Sequence, residues 1–300
     1  MTCYSPMTLY QSKAGPGPNG KTPLRGIMKG DVRKPVTVPC CKCIGCHLER
    51  SRQWAIRCVN EMQMQEENGK QNCFITLTYR NEELTYGGEG YTLYPRHLQL
   101  FLKRLRKKYG PAIRFFACGE YGDKLGRPHY HAIIFGLDFE DKTIHSVKED
   151  TILYRSNTLD NLWTHGGATI GAANFETAAY VARYVLKKKL GKNREFYKRV
   201  GIEPEFVRMS RRPGIGRAWL EKYKSDVYPH DRLIMRGLKM RPPKYYSNIY
   251  DLENPEQSAI LKERRRKAVE KHAKDNTRSR LAAKLEVKKR QVESLSRKLT

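Results

Sequence analysis

Hydrophobic and polar positions divide the chain into elements of two periods. In "NCFITLTYR", residues 72–80, β-branched and aromatic residues run together, which predicts a strand buried in a sheet. "YPRHLQLFLKRLRKKYG", residues 94–110, sets Leu98, Phe101, Leu102 and Leu105 on one side of a helical period and Arg and Lys on the other. That predicts an amphipathic helix with Gly110 as its stop. "IRFFACGEYG" and "PHYHAIIFGL" read as two strands, and the short, turn-like "GDKLGR" between them makes an antiparallel hairpin. "FETAAYVARYVLKKKLGK", residues 175–192, is the clearest helix in the chain.

Elsewhere the pattern is weaker. From about Gly45, Leu48, Trp54, Ile56, Val59 and Met62 follow an imperfect helical period that Asn68 and Gly69 close. Residues 1–39, rich in Gly, Pro and Lys, read as an irregular arm. Residues 140–170 are mixed, with a short strand at "GATIG". Residues 195–255 are irregular and Pro-rich, with a helix opening in "RRPGIGRAWLEKY". The order helix, strand, helix, hairpin, helix predicts an α+β domain: a small antiparallel sheet with helices packed on one side. The predicted division is an arm over 1–39, a folded domain over 40–255 that begins with a cysteine-rich helix, and a basic helical tail over 256–300.

Charge adds the class of partner. The 300 residues carry 58 Lys and Arg against 31 Asp and Glu, a net charge of +27. Such an excess says little about fold and points to a polyanion, nucleic acid before an anionic membrane. Residues 261–300 alone hold 15 basic and 5 acidic residues and no Phe, Trp or Tyr, the composition of a solvated, charged helix. Most of the 18 tyrosines suit ordinary strand positions, though aromatic faces also stack on unpaired bases. No apolar run reaches the roughly 18 residues of a membrane span, and the first twenty residues lack a signal-peptide core. The eight cysteines are therefore expected in a reducing compartment, as thiols or metal ligands.

Two constellations carry candidate chemistry. On a strand, His129 and His131 project to one face and Tyr130 to the other. A lone His-x-His is more often a pair of surface residues. Here the hairpin brings Glu120 beside it, and two imidazoles with a carboxylate make a ligand set for a divalent cation, Mg²⁺ or Mn²⁺. On the helix over 175–192, Tyr180 and Tyr184 share a face, with Lys187 and Lys188 one turn beyond. Tyrosines at that spacing usually pack against a core. A phenol, with a pKa near ~10, becomes a nucleophile only where a cation favours its phenolate. A tyrosine opposite a metal-bound phosphodiester can then attack in line, giving a 5′-phosphotyrosine and a free 3′-hydroxyl.

"CCKCIGC" contains two overlapping Cys-x-x-Cys pairs, through Cys40, Cys43 and Cys46, each half of a zinc site. Cys58 is the candidate fourth ligand for a structural Zn²⁺. Plain reduced thiols are the other reading, and nothing pairs these cysteines with a catalytic histidine.

Taken in order, "FITLTY", "GEYG" followed by "PHYHAIIFG", and "YVARYVLKK" resemble the motifs of HUH rolling-circle replication initiators, and most of all those of gokushoviruses, small single-stranded DNA phages of the Microviridae. The cysteine-rich segment and "RRPGIGRAWLEKY" belong to the same likeness, which spans roughly residues 36–224. The resemblance implies an RRM-like antiparallel sheet with helices on one side. It matches His129 and His131 to the metal-binding histidines and Glu120 to the acidic ligand. Tyr184, followed by Lys187, best matches the nucleophile, and Tyr180 the second tyrosine. It implies an enzyme that nicks single-stranded DNA at the replicative-form origin, stays linked to the 5′ end and later rejoins the strand. Its implied partners are a host DNA polymerase and helicase, since no GxxxxGK[ST] loop occurs, and its place is the host bacterial cytoplasm, away from membranes. An HUH transposase or plasmid relaxase shares this chemistry, and a non-catalytic basic nucleic-acid-binding protein shares the charge.

Overall fold

The computed structural model describes residues 3–17, 22–122, 125–148, 151–187 and 192–294, with the backbone alone at 183–187 and 192–194. The chain divides into two compact units, Met1–Arg50 with Glu256–Thr300, and Ser51–Pro255.

In the first unit, β1 (Met7–Ser12) pairs antiparallel with β2 (Leu24–Arg25) on one side and β3 (Gly30–Val38) on the other. The segment expected to be irregular is therefore a three-stranded ribbon. Its β-branched run Val36-Thr37-Val38 lies opposite Leu9, Thr8 and Met7. Gly30, which suggested a loop, serves a close approach instead: a Cβ there would lie 2.3 Å from that of Tyr10. Helix α1 (Ile44–Glu67) follows, and Asn68 and Gly69 close it as expected.

The second unit is built on a sheet. Its elements are β4 (Asn72–Thr78), a small hairpin of β5 (Tyr86–Gly87) and β6 (Gly90–Tyr91), α2 (Pro95–Tyr109), β7 (Arg114–Tyr121), β8 (Pro128–Phe135), β9 (Thr143–Lys148), β10 (Thr151–Arg155), α3 (Asn157–Leu162), β11 (Ala168–Ala172), α4 (Phe175–Lys187), α5 (Lys192–Val200), β12 (Phe206–Met209), α6 (Arg217–Val227), a hairpin of β13 (Leu233–Met235) and β14 (Leu238–Met240), and α7 (Lys244–Glu253). Helices α8 (Pro255–Lys271) and α9 (Arg278–Glu293) complete the chain and form the expected basic tail, in which Leu261 and Leu281 are buried.

Seven strands form one sheet in the order β12-β7-β8-β4-β11-β10-β9, each antiparallel to its neighbours. The expected hairpin of β7 and β8 lies near the middle, and "FITLTY" supplies the neighbouring β4. Contrary to expectation, the helices do not keep to one side. Ile75, Leu77, Tyr130, Ala132 and Ile134 face one layer, which holds Leu98, Phe101, Leu102 and Leu105 of α2 and Leu159 of α3. Phe116, Cys118, Ile133 and Phe135 face the other, which holds Ala55, Cys58 and Met62 of α1 and Ala178, Val181 and Ala182 of α4. The reason is in the strands: "PHYHAIIF" is apolar on both faces past its histidines, so each face must be covered. The sheet is also wider than expected, because β9 and β10 extend it. Their apolar residues are sparse, and Ile144, Val147 and Ile152 are exposed, which hid them as strands.

Candidate active site

The site begins with a register. Glu120 on β7 lies directly opposite His129 on β8, and Cys118 opposite His131. On the other flank Thr78 lies opposite His129 and Thr76 opposite His131. Glu120, His129, His131 and Thr76 therefore share the sheet face covered by α1 and α4, and Tyr130 points away. Its hydroxyl is tied to Tyr79 and to the Tyr94 backbone on the far side, which fixes β8 in register and direction.

The three candidate ligands converge. Glu120 Oε1 lies 2.8 Å from His129 Nε2 and 2.8 Å from His131 Nε2. Donors in adjacent positions of an octahedral ion at ~2.1 Å lie about 3 Å apart, so the spacing fits a small divalent cation. Glu120 Oε2 is buried and finds no hydrogen-bond partner among the described residues, an orphaned acceptor that a cation would satisfy. Both rings are held from behind. His129 Nδ1 lies 3.0 Å from the Arg127 carbonyl, and His131 Nδ1 lies 2.9 Å from Thr76 Oγ1. With Nδ1 carrying the proton, each Nε2 turns a lone pair inward, the arrangement that prepares imidazole for a metal. Phe74 stacks on the His131 ring at 5.4 Å. Burial raises the Glu120 carboxyl, but the two imidazoles outweigh it, so Glu120 stays below its ordinary 4.5 and is ionised at neutral pH.

Helix α4 brings the phenol. Its start is fixed by a reciprocal cap: the Thr177 N–H donates to Asn174 Oδ1 at 2.8 Å, and the Asn174 N–H to Thr177 Oγ1 at 2.9 Å. Ala178, Val181 and Ala182 seat the helix on the sheet, and Ser51 of α1 donates to the Ala179 carbonyl. This seating aims Tyr180 at the ligand set. Its hydroxyl donates to Glu120 Oε1 at 3.2 Å and lies 3.5 Å from His131 Nε2. Tyr184 and Lys187 follow on the same helix, but their side chains, and Lys188 altogether, lie outside the described residues.

Sequence reasoning placed Thr76 near DNA and did not see it as the partner of His131; the signal was its position on the strand beside the histidines. The "RRPGIGR" segment is a docking element. Ile215 is fully buried, its carbonyl accepts from Arg57, and the Gly216 N–H donates to Glu61, which also pairs with Arg114.

The cysteines divide differently from expectation. Cys58 is fully buried in the core under α1 and takes no part in a cluster. Cys3 takes its place, with its Sγ grouped with those of Cys40, Cys43 and Cys46. The first turn of α1 faces the ribbon, whereas Cys58 lies more than three turns further along the helix.

No helix among the described residues is long and apolar enough to cross a membrane. The replication-associated protein ORF2 family matches residues 72–189, which include every candidate ligand and both tyrosines. The chain is 34% identical over 289 residues to Replication-associated protein ORF2 of Spiroplasma virus 4, covering 90% of this chain and 88% of that one. It is 34% identical over 228 residues to Replication-associated protein VP4 of Bdellovibrio phage phiMH2K, covering 73% and 69%, and 30% identical over 230 residues to Replication-associated protein ORF4 of Chlamydia phage 1, covering 71% and 53%. No solved structure matches the chain. A match that spans nearly the whole of this chain and of its Spiroplasma virus relative, on a segment holding the whole candidate site, is more than a shared motif: the chain belongs to the replication-associated protein ORF2 family.

Proposed function

We propose that the chain is an HUH-type nicking and joining endonuclease that starts rolling-circle replication of a small single-stranded DNA phage. The observation that carries this reading is the meeting of Glu120, His129 and His131 with the Tyr180 hydroxyl at one point on the sheet. Family membership supports the replication role, and the net charge of +27 supports a DNA substrate.

A divalent cation, Mg²⁺ or Mn²⁺, held by these three residues would polarise the scissile phosphodiester and offset its charge. Glu120 Oε1 holds the Tyr180 proton in the resting site. As that proton leaves, Tyr180 Oη bonds to phosphorus and the bond from phosphorus to the 3′ oxygen breaks. The departing oxygen takes up a proton and becomes the free 3′-hydroxyl, and the 5′ phosphate remains on the tyrosine. Rejoining runs the same exchange backwards, so the energy of the broken phosphodiester is kept in the phosphotyrosine. Tyr184, one turn along α4, is assigned to the second strand transfer, and Lys187 and Lys188 to the phenolate or phosphate charge. A host polymerase would extend the 3′-hydroxyl and a host helicase would open the duplex.

The test is incubation of the full chain with single-stranded origin DNA and Mn²⁺. A covalent adduct is expected, abolished by EDTA, by His129→Ala and by the Tyr180→Phe/Tyr184→Phe double variant. Tight, salt-sensitive binding unaffected by EDTA, with no scission in any metal, would instead identify a non-catalytic binding protein. Cleavage of transposon ends or transfer origins in preference to a phage origin would identify a transposase or relaxase.

A further inference from the structure

A second metal-binding geometry lies in the unit formed by the chain's two ends, and it shares no residue with the candidate active site. The Sγ atoms of Cys3, Cys40, Cys43 and Cys46 all lie within 4.8 Å of one another. The separations are 3.6 Å for Cys3 to Cys40, 3.9 Å for Cys3 to Cys43 and 4.0 Å for Cys40 to Cys46. Four sulfurs at ~2.3 Å from one tetrahedral ion lie about 3.8 Å apart, the edge of that tetrahedron. The observed values bracket it. A disulfide needs ~2.05 Å, so these are thiols.

The backbone around them is arranged for anionic sulfur. The Tyr4 N–H donates to Cys43 Sγ at 3.3 Å, the Cys40 N–H to Cys3 Sγ at 3.2 Å, and the Cys43 N–H to Cys40 Sγ at 3.3 Å. Such donors stabilise thiolates in the way outer partners stabilise other metal ligands. Between Cys40 and Cys43 the chain turns through Cys41 at φ 59, the left-handed region, which bends the segment so that both flanking thiols face inward. Cys41 itself is exposed and turns its thiol to the Pro39 carbonyl, outside the set.

We infer that Cys3, Cys40, Cys43 and Cys46 hold a structural zinc ion. Four thiolates in a tetrahedron leave no open position, the mark of a structural and not a catalytic site. The ion would tie three segments: the residues before β1, the end of β3 and the first turn of α1. The ribbon needs such a tie. Along β1 and β3 Gly30 alone is buried, so the strands bring almost no core of their own.

The test is metal analysis of the full chain purified without chelators. About one zinc per chain is expected, kept by Cys58→Ala and by the His129→Ala/His131→Ala variant, and lost by Cys3→Ser. Because Cys3→Ser could lose zinc simply by misfolding, the unaltered chain is also reconstituted with Co²⁺. The intense red-region bands and sulfur charge-transfer absorption of a tetrahedral thiolate site are expected. Zinc-free or iron-loaded protein, zinc retained by Cys3→Ser, or cobalt without thiolate absorption would each overturn the inference.

Discussion

At the scale of single residues, the site depends on groups that hold the ligands as much as on the ligands. Thr76 is a positioning residue, since it reaches the metal only through His131 Nδ1. Thr76→Val keeps the shape and removes that bond, and metal affinity is expected to fall by roughly ten- to a hundredfold. Titration calorimetry with Mn²⁺ checks it, and an unchanged affinity would show that stacking by Phe74 is enough to orient the ring. Glu120, His129 and His131 were legible because a two-residue period and a short turn fix which side chains meet across a hairpin. Cys3 was not legible: it lies 37 residues from Cys40, and only the folded ribbon brings them together.

A second residue-scale consequence lies on the opposite face of the sheet. His97 stacks on His165 at 3.8 Å and is bonded to the Tyr79 hydroxyl. Burial, reinforced by the charge of His165, lowers its pKa from 6.5 to about 4. The folded protein thus favours neutral His97, so the unfolded chain binds more protons between these two values. The stability this supplies is complete above pH 6.5 and is lost as pH falls towards 4. Thermal melts across that range should show a falling Tm, and His97→Gln should flatten the fall. An equal slope in both proteins would count against the assignment.

At the scale of elements, local pattern was sufficient where one period dominates. Helices α2 and α4 and strands β4, β7 and β8 were readable because their apolar residues repeat cleanly. The ribbon of β1 to β3 and the outer hairpin of β9 and β10 were not, because exposed strands carry little hydrophobic signal and are specified by their partners. The single-sided helix layer was also misjudged: a run apolar on both faces signals two covering layers. One turn shows how tightly elements meet. A Cβ on Gly166 would lie 2.2 Å from the Thr78 carbonyl oxygen and 2.5 Å from the Arg80 nitrogen, both backbone atoms at the end of β4. Gly166→Ala is expected to destabilise the protein by about 1–3 kcal/mol, as overpacking does. Urea denaturation measures it, and a neutral result would mean that the turn relaxes away from β4.

At the scale of the whole molecule, charge and chemistry are divided between the two units. The candidate active site belongs entirely to Ser51–Pro255, whereas the basic helices α8 and α9 belong with the ribbon. Lys271, Lys274 and Lys289 in that tail are exposed. If they meet DNA phosphates, changing all three to Gln should lower the salt slope of single-stranded DNA binding by about 2, at ~0.7 for each phosphate no longer neutralised. Adduct formation at low salt should persist. An unchanged slope would assign the tail to a protein partner.

Everything proposed for the site turns on whether a tyrosine of α4, aimed at the Glu120, His129 and His131 centre, becomes linked to DNA. Mass spectrometry of the adduct formed with single-stranded origin DNA and Mn²⁺ decides it. A phosphonucleotide is expected on the peptide that carries Tyr180 and Tyr184, with Tyr180 modified in the first cleavage. A nucleotide on any residue outside that helix, or scission with no covalent intermediate, would refute the mechanism.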